Sequence, residues 1–128
     1  GGGTTYIRAQ ASLKDLKGDN QDEQTGINIV CRAIEEPLRQ IIANAGGEGA
    51  VVVDNVRQGK GDYGYNARKD VYEDLRAAGV IDPAKVSRVA LENAASIAGM
   101  FLTTECLIVD KAEETPAMPA APGMGGMM

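Results

Sequence analysis

The sequence predicts a mainly α-helical domain: a helical bundle with short β segments near residues 63–66, 80–82 and 104–109. Aromatic residues make up only 4% of the 128-residue chain, which has no Trp and a single Phe. The core must therefore be built from Ala, Val, Ile and Leu, which favours closely packed helices over a β-sandwich. Residues 27–45 and 86–101 both carry apolar side chains at spacings of three and four, the period of an amphipathic helix.

Two helix starts are predicted near the beginning of the chain. Thr4 or Thr5 can cap a first helix that carries Ile7. Asn20, with Glu23 three residues later, resembles a capping box in which Asn replaces the usual Ser or Thr. These two signals divide the first third of the chain into separate helices.

The helix after Asn20 has the best periodicity in the chain. Pro37 lies inside the pattern, and we expect a kink there rather than two separate helices, with an end at Gly46 and Gly47. Residues 50–56 combine Val-rich strand propensity with helix-compatible flanks, and we favour a short helix. The predicted apolar face consists of Ile27, Val30, Ile34, Leu38, Ile41 and Ala45.

In the second half, residues 63–67 are predicted to be extended, and Asn66 can cap a short helix that stops at Gly79. A short apolar stretch follows at Val80. Asp82 and Pro83 then predict a helix start, with Asp as N-cap and Pro in the first helical position.

The chain after that helix changes character twice. Residues 104–109 are β-prone and apolar, and we expect them to pair with a strand outside this chain. Residues 111–128 are rich in Gly, Met and Pro, a composition that predicts a disordered tail.

Composition excludes several classes of function. The absence of His removes histidine acid–base catalysis, Ser-His and Cys-His nucleophile pairs and most zinc sites. A net charge of -5 without a basic stripe argues against binding to nucleic acid. No apolar run approaches the roughly 20 residues needed to span a bilayer, so we expect no membrane partner.

The two cysteines indicate the compartment. Cys31 and Cys106 lie far apart with no C-x-x-C motif, and we interpret them as buried free thiols in a reducing cytosol, without a reactive role. The predicted localisation is therefore cytoplasmic. Because the chain opens on Gly1 without Met, we expect it to be a fragment of a longer protein.

Few residues suggest a ligand site by themselves. The opening glycines permit a close backbone approach to a nucleotide, but a flexible end explains them equally well. Asn66 and Asp82 are explained first as helix caps and only second as ligand contacts. Arg39 and Glu48 are explained as solvated surface charges. The residues alone thus define a small, acidic, helical domain with a missing partner.

The order and spacing of the motifs resemble those of the group I (GroEL-type) chaperonins over essentially the whole chain. The motifs that carry the resemblance are Gly1-Gly2-Gly3 followed by Ile7-Arg8-Ala9, Arg32 to Ile41, Gly64 to Ala67, Gly79 to Val86, and Thr103 to Cys106. The resemblance implies that residues 1–110 are the C-terminal part of an ATP-binding equatorial domain, followed by the tail at 111–128.

The resemblance also implies an ATP site. Gly2 corresponds to a glycine whose backbone lies against the nucleotide, Asn66 and Ala67 to adenine-side contacts, Val80 to an apolar wall, and Asp82 to the carboxylate that accepts from the ribose hydroxyls. The family's Gly-Asp-Gly-Thr-Thr phosphate loop, its Mg-binding aspartate and its catalytic aspartate are absent from this sequence. The resemblance therefore implies that this chain alone has no ATPase activity.

The partners implied by the resemblance are copies of the same subunit in a double heptameric ring. Arg39 corresponds to a residue that pairs with the Glu48 position of the opposite ring, and the segment Cys106, Leu107, Ile108 and Val109 to a contact with the neighbouring subunit. Unfolded polypeptides and the co-chaperonin would bind domains not present here. The alternative hypothesis is a stand-alone helical protein-interaction module without nucleotide chemistry.

Overall fold

The computed structural model describes residues 1–112 of the chain, and within them the mainly helical class is confirmed. Residues 113–128, most of the predicted tail, lie outside the described residues. The elements in chain order are α1 (Thr4–Leu13), α2 (Gln21–Ala33), α3 (Glu36–Asn44), α4 (Gly49–Gln58), β1 (Tyr63–Asn66), β2 (Val71–Asp74) and α5 (Ala84–Leu102).

The core lies between α1, α3, α4 and β1. Leu38, Ile42, Val53 and Val56 are its fully buried side chains. Tyr65 is the aromatic residue of this cluster, which otherwise consists of aliphatic side chains. Burying four aliphatic side chains stabilises the fold by about 1.5–3 kcal/mol for each of them. The helices that surround this core position the site described below.

The start of α1 differs from the prediction. The N-cap is Gly3 with φ of 78°, and neither Thr4 nor Thr5 caps the helix with its side chain. A Cβ on Gly3 would lie 2.9 Å from the Leu38 amide nitrogen. Glycine is needed at this position both for its left-handed backbone and for the close approach to α3.

The prediction of one kinked helix around Pro37 is wrong, because α2 ends at Ala33 and a separate α3 begins at Glu36. In a continuous helix, Pro37 would lack the N–H that bonds to the Ala33 carbonyl, and its ring would collide with that carbonyl. In the first turn of α3 neither the missing N–H nor the proline ring is unfavourable, because no preceding helical turn is present. The break also rotates the buried face, so that Ile42 is fully buried while Ile41 is 38% exposed.

Three local predictions are confirmed. The Asn20 side chain accepts a hydrogen bond from the Glu23 amide at 3.0 Å and caps α2. The Val-rich segment forms α4. Residues 63–66 form β1.

The predicted helix between Asn66 and Gly79 is wrong, because these residues complete a β-hairpin. Strands β1 and β2 are antiparallel, with Tyr65 opposite Tyr72. Asp70 has φ of 56° in the connecting turn. Paired aromatic side chains across two strands outweigh the capping signal of Asn66.

Helix α5 begins at Ala84, and its N-cap is Pro83 rather than the predicted Asp82. Pro83 has an extended backbone conformation, with ψ of 132°. None of the 19 residues of α5 is buried. The Tyr6 hydroxyl, which donates to the Ser87 carbonyl at 2.8 Å, connects α1 to the first turn of α5.

Two of the three predicted β segments are not strands. Residues 80–82 form a loop, in which the Val80 amide donates to the Leu75 carbonyl at 2.8 Å and closes the turn after β2. Residues 104–109 form neither helix nor strand. A strand requires a neighbouring backbone for its hydrogen bonds, and none pairs with this segment within residues 1–112. In the same range, no helix has the length and apolarity required to cross a membrane.

Candidate functional site

A cleft of about 370 Å³ lies where the beginning of the chain meets the loop after β2. Its walls include Gly1 and Thr5 on one side and Val80 and Asp82 on the other. The volume falls within the range of small-molecule sites in proteins. The cleft therefore brings together the glycine-rich start and two of the residues proposed to contact a ligand.

Gly2 lies against the hairpin and the Val80 side chain. It has φ of 60°, and a Cβ built on it would be 3.7 Å from the Tyr65 carbonyl oxygen and 3.9 Å from Cγ1 of Val80. A side chain would have room at this position, so it is the left-handed backbone that favours glycine here. Val80 itself is half-buried and forms an apolar part of the wall.

Asp82 is the exposed acidic residue of the Val80 loop. No hydrogen bond or ion pair occupies its carboxylate among residues 1–112. Since Asp82 does not cap α5, both of its oxygens are free to accept hydrogen bonds from a ligand hydroxyl. A ribose supplies two neighbouring hydroxyls of the required kind.

Arg8 holds the side of the cleft formed by the loop between α4 and β1. Its guanidinium donates to the carbonyls of Val56 at 2.5 Å, Gly61 at 3.1 Å and Tyr63 at 2.6 Å. These bonds use Nε and both terminal nitrogens, so the arginine acts first as a structural tie between α1 and that loop. Sequence reasoning missed this role, because the three acceptors are backbone carbonyls far away in the chain.

Asn66 and Ala67 lie outside the walls of this cleft. The Asn66 Oδ1 accepts from the amides of Arg68 at 3.1 Å and Lys69 at 3.3 Å, and its Nδ2 donates to Glu73 at 2.7 Å. Asn66 thus stabilises the hairpin turn in the manner of an Asx turn. Ala67 is partly buried against the hydrophobic core.

The residues of the cleft therefore fit only one part of a nucleotide. A free carboxylate, an apolar side chain and a glycine backbone suit a sugar and the face of a base. Within residues 1–112 no group of three acidic or thiol side chains could hold a metal ion. The cleft residues of this chain have neither the metal ligands nor the phosphate loop that phosphoryl transfer requires.

The second predicted site, on the α3–α4 pair, is built around Glu35. Its carboxylate is 8% exposed and accepts from Gln10 at 2.9 Å, from Arg39 at 2.9 Å and from Arg57. Burial alone would raise the pKa of Glu35, but the hydrogen bonds from Gln10 and Arg39 and the charges of Arg57 and Arg39 outweigh it and hold that pKa below its usual value of 4.5. Sequence reasoning named Arg39 but missed its buried partner.

Glu48 lies one residue before α4 and is exposed. Arg39 packs beside the same helix end, since a Cβ on Gly49 would be 3.4 Å from the Arg39 Cα. The side chains of Arg39 and Glu48 form no ion pair with each other in the part of the chain that the structure describes. Both remain available to a second molecule.

The third predicted contact, residues 106–109, is exposed throughout. Cys106 is an exposed thiol rather than the predicted buried one, and Cys31 is half-buried. Leu107, Ile108 and Val109 have exposed fractions of 59%, 95% and 71%. Three large aliphatic side chains in succession are thus left in water.

A second cavity was not predicted from the sequence. It is an apolar groove of about 580 Å³ between the α2–α3 pair and α5. Ile29, Val30 and Pro37 line one side, and Leu91 and Ala94 line the other. The small residues of α5, such as Ala94 and Ala98, leave this groove open within residues 1–112.

These features together define a helical segment with an open cleft and several uncovered apolar surfaces. The model of the TCP-1/cpn60 chaperonin family matches residues 1–112. The chain therefore belongs to the TCP-1/cpn60 chaperonin family, and this membership supports a chaperonin-like role in protein folding. It does not favour the alternative of a stand-alone interaction module.

Proposed function

We propose that this chain is part of a group I chaperonin subunit and supplies the sugar and base side of its ATP site. The observation that carries the proposal is the free carboxylate of Asp82, which lies in the same cleft as Gly1 and Val80. Gly2 lies against the Val80 side chain. In this proposal residues 1–110 belong to the equatorial domain, and the subunit works in the cytoplasm.

Each cleft residue has a defined part in holding the nucleotide. Asp82 accepts from the ribose hydroxyls, and a charge-assisted bond of this kind contributes about 1.5–3 kcal/mol. Val80 provides an apolar wall, and Gly2 keeps its backbone accessible to the ligand. Asn66 and Ala67, which lie at the hairpin turn, act on the adenine side when the rest of the domain completes the pocket.

ATP hydrolysis itself requires groups that this sequence lacks. Bound ATP supplies the free energy of the folding cycle, and its phosphates and Mg²⁺ require a phosphate loop and acidic ligands. Residues 1–112 contain no acidic cluster for a metal. The chain alone therefore hydrolyses no ATP, and its affinity for nucleotides is weak.

The same chain contributes assembly contacts in a double heptameric ring. Arg39 and Glu48 form contacts between rings, and residues 106–109 pair with a strand of the neighbouring subunit. The exposure of Leu107, Ile108 and Val109 supports the second contact. Unfolded polypeptides and the co-chaperonin bind elsewhere in the subunit.

The sharpest test of the ATP site compares two nucleotides in the full subunit. Asp82→Asn should weaken ATP binding about tenfold and abolish any preference for ATP over its 2′-deoxy analogue, measured by calorimetry. Asp54→Asn, which changes an exposed carboxylate on α4, is the matched control and should bind both nucleotides normally. Equal affinities of the Asp82→Asn protein and the unchanged protein for ATP would reject the proposal.

A further inference from the structure

A single buried carboxylate receives side chains from four parts of the fold. Glu35 lies at the joint between α2 and α3, and its side chain accepts from Gln10 of α1, Arg32 of α2, Arg39 of α3 and Arg57 of α4. We call these five residues the Glu35 cluster. Three arginines around one carboxylate leave the cluster with excess positive charge.

The three arginines differ in how that excess charge is compensated. Arg32 has a second acidic partner in Glu36, at 2.8 Å. Arg57 has one in Asp54, at 3.6 Å. Arg39 has only Glu35 in the part of the chain that the structure describes. Glu35, Glu36 and Asp54 together balance the three arginine charges, and Arg39 is the arginine with a single acidic partner among residues 1–112.

The geometry of Arg39 leaves one part of its guanidinium free. Its Nε and one terminal nitrogen both donate to Oε2 of Glu35, at 3.3 and 2.9 Å. The other terminal nitrogen, NH1, forms no hydrogen bond within residues 1–112. The side chain is 25% exposed, so it remains accessible to water. A planar guanidinium held along one edge has a fixed plane, and its opposite edge points in a defined direction.

Glu35 is itself held on its second oxygen. Oε1 accepts from Gln10 at 2.9 Å and from Arg57. The carboxylate is thereby fixed to α1 and α4 independently of Arg39. A group held on one side can orient a flexible side chain on the other without a large loss of conformational entropy.

We infer that Glu35 is a positioning residue, which holds one edge of Arg39 so that the free NH1 faces a carboxylate of a second copy of the subunit. This inference rests on the proposed contact between rings and deepens it. The strength of the contact between rings then depends on Glu35, which does not itself touch the other ring. The hydrogen bond from Gln10 connects the same carboxylate to α1, the helix whose beginning lines the proposed nucleotide cleft.

The first experiment measures the Arg39 side chain directly in the 128-residue chain. The Nε–H resonance of Arg39 in ¹⁵N NMR should exchange slowly with water in the unchanged protein and at least about tenfold faster in Glu35→Gln. Glu36→Gln, which changes an exposed acid paired with Arg32, is the control and should leave the Arg39 resonance unaltered. An unaltered Arg39 resonance in a folded Glu35→Gln protein would overturn the inference.

Should Glu35→Gln not fold, Glu35→Asp provides the same comparison. It keeps the charge of the cluster but withdraws the carboxylate by one methylene group, so the Arg39 Nε–H should again exchange faster. A slow exchange rate retained in this variant would count against positioning by Glu35.

The second experiment measures ring pairing in the full subunit by light scattering or sedimentation. Glu35→Gln should weaken the association of rings about fivefold to tenfold, and it should cause no further loss when Arg39 is already Ala. A Glu35 with a merely structural role would weaken pairing in both backgrounds, and that result would overturn the inference. Unchanged pairing in Arg39→Glu would instead reject the proposed ring contact, whatever the exchange rate of Arg39.

Discussion

Tyr65 and Tyr72 face each other across the β-hairpin, with their ring centroids 5.2 Å apart and their planes tilted by 56°. Tyr72 also stacks on Tyr63 at 6.0 Å. The Tyr65 hydroxyl donates to the Asp70 carboxylate at 2.5 Å, next to the turn where Asp70 has a left-handed backbone. Three of the four tyrosines of the chain thus pack on one β-hairpin.

The first prediction concerns the ionisation of Tyr65. The hydrogen bond to Asp70, burial and the charge of Asp70 together raise the pKa of Tyr65 above its usual value of 10.0. A raised pKa means that this contribution to stability is present below about pH 10 and is lost as the pH rises through the folded value. Asp70→Asn should lower the Tyr65 pKa, as measured by absorbance at 295 nm with Tyr65→Phe as the reference. An unchanged titration of Tyr65 in the Asp70→Asn protein would contradict this prediction.

The second prediction concerns Glu35 at acid pH. Because its pKa lies below 4.5 in the folded chain, its contribution is present above about pH 4.5 and is lost as the pH falls through the folded value. Glu35→Gln should lower the free energy of unfolding by about 1–2 kcal/mol at pH 7, since its arginine partners are partly screened by water. Urea unfolding should show this difference vanish below the folded pKa. Glu36→Gln, at an exposed side chain, should cost less than about 0.5 kcal/mol at pH 7.

The third prediction separates two adjacent isoleucines of α3. Ile42 is fully buried and Ile41 is 38% exposed. Ile42→Ala should destabilise the chain by about 2–4 kcal/mol, through lost burial and a residual cavity. Ile41→Ala should cost less than about 1 kcal/mol. Thermal unfolding of the two variants checks this, and equal losses would show that the break at Pro37 does not orient α3 as described.

The fourth prediction concerns the glycine that begins α1. Gly3→Ala should destabilise the chain by about 1–3 kcal/mol, because an L-residue is strained at φ of 78° and its Cβ would press on Leu38. Gly26→Ala is the matched control, in the middle of α2 with nothing within 4 Å of the new Cβ. It should stabilise the chain by about 0.5–1 kcal/mol. A tolerated Gly3→Ala in urea unfolding would contradict the tight approach of α1 to α3.

Much of the fold could be predicted from the sequence, because the signals involved are local. The Asn20 cap and the periodicity of residues 86–101 depend on neighbours within one or two helical turns. The break before Pro37 was misjudged because a kink and a break give the same pattern. The hairpin after Asn66 was missed because Tyr65 and Tyr72 stabilise it only once they meet across the strands.

In the candidate site, too, some features could be predicted from local sequence and others depend on the packing of distant residues. Val80 and Asp82 are only two residues apart in the chain, so a loop there keeps them close, whereas their proximity to Gly1 follows from the packing of α1. The Glu35 cluster was invisible in the sequence, because Gln10 and Arg57 approach Glu35 from positions 25 and 22 residues away. Burial of one carboxylate selects these partners, and burial cannot be inferred from a charged residue alone.

The lack of buried residues in α5 determines how this helix moves. The core side chains of α1, α3 and α4 tie the opening of those helices to the unfolding of the whole domain. Helix α5 has 19 residues, none of them buried, and most of the stability of a helix in a protein comes from the packing of its apolar face. Its amides should therefore exchange hydrogen through local helix–coil openings, on the microsecond timescale of such events. Helix α5, the longest helix among residues 1–112, should thus exchange faster than α3 and α4, whose side chains reach the core, and covering the groove between α5 and the α2–α3 pair should slow that exchange.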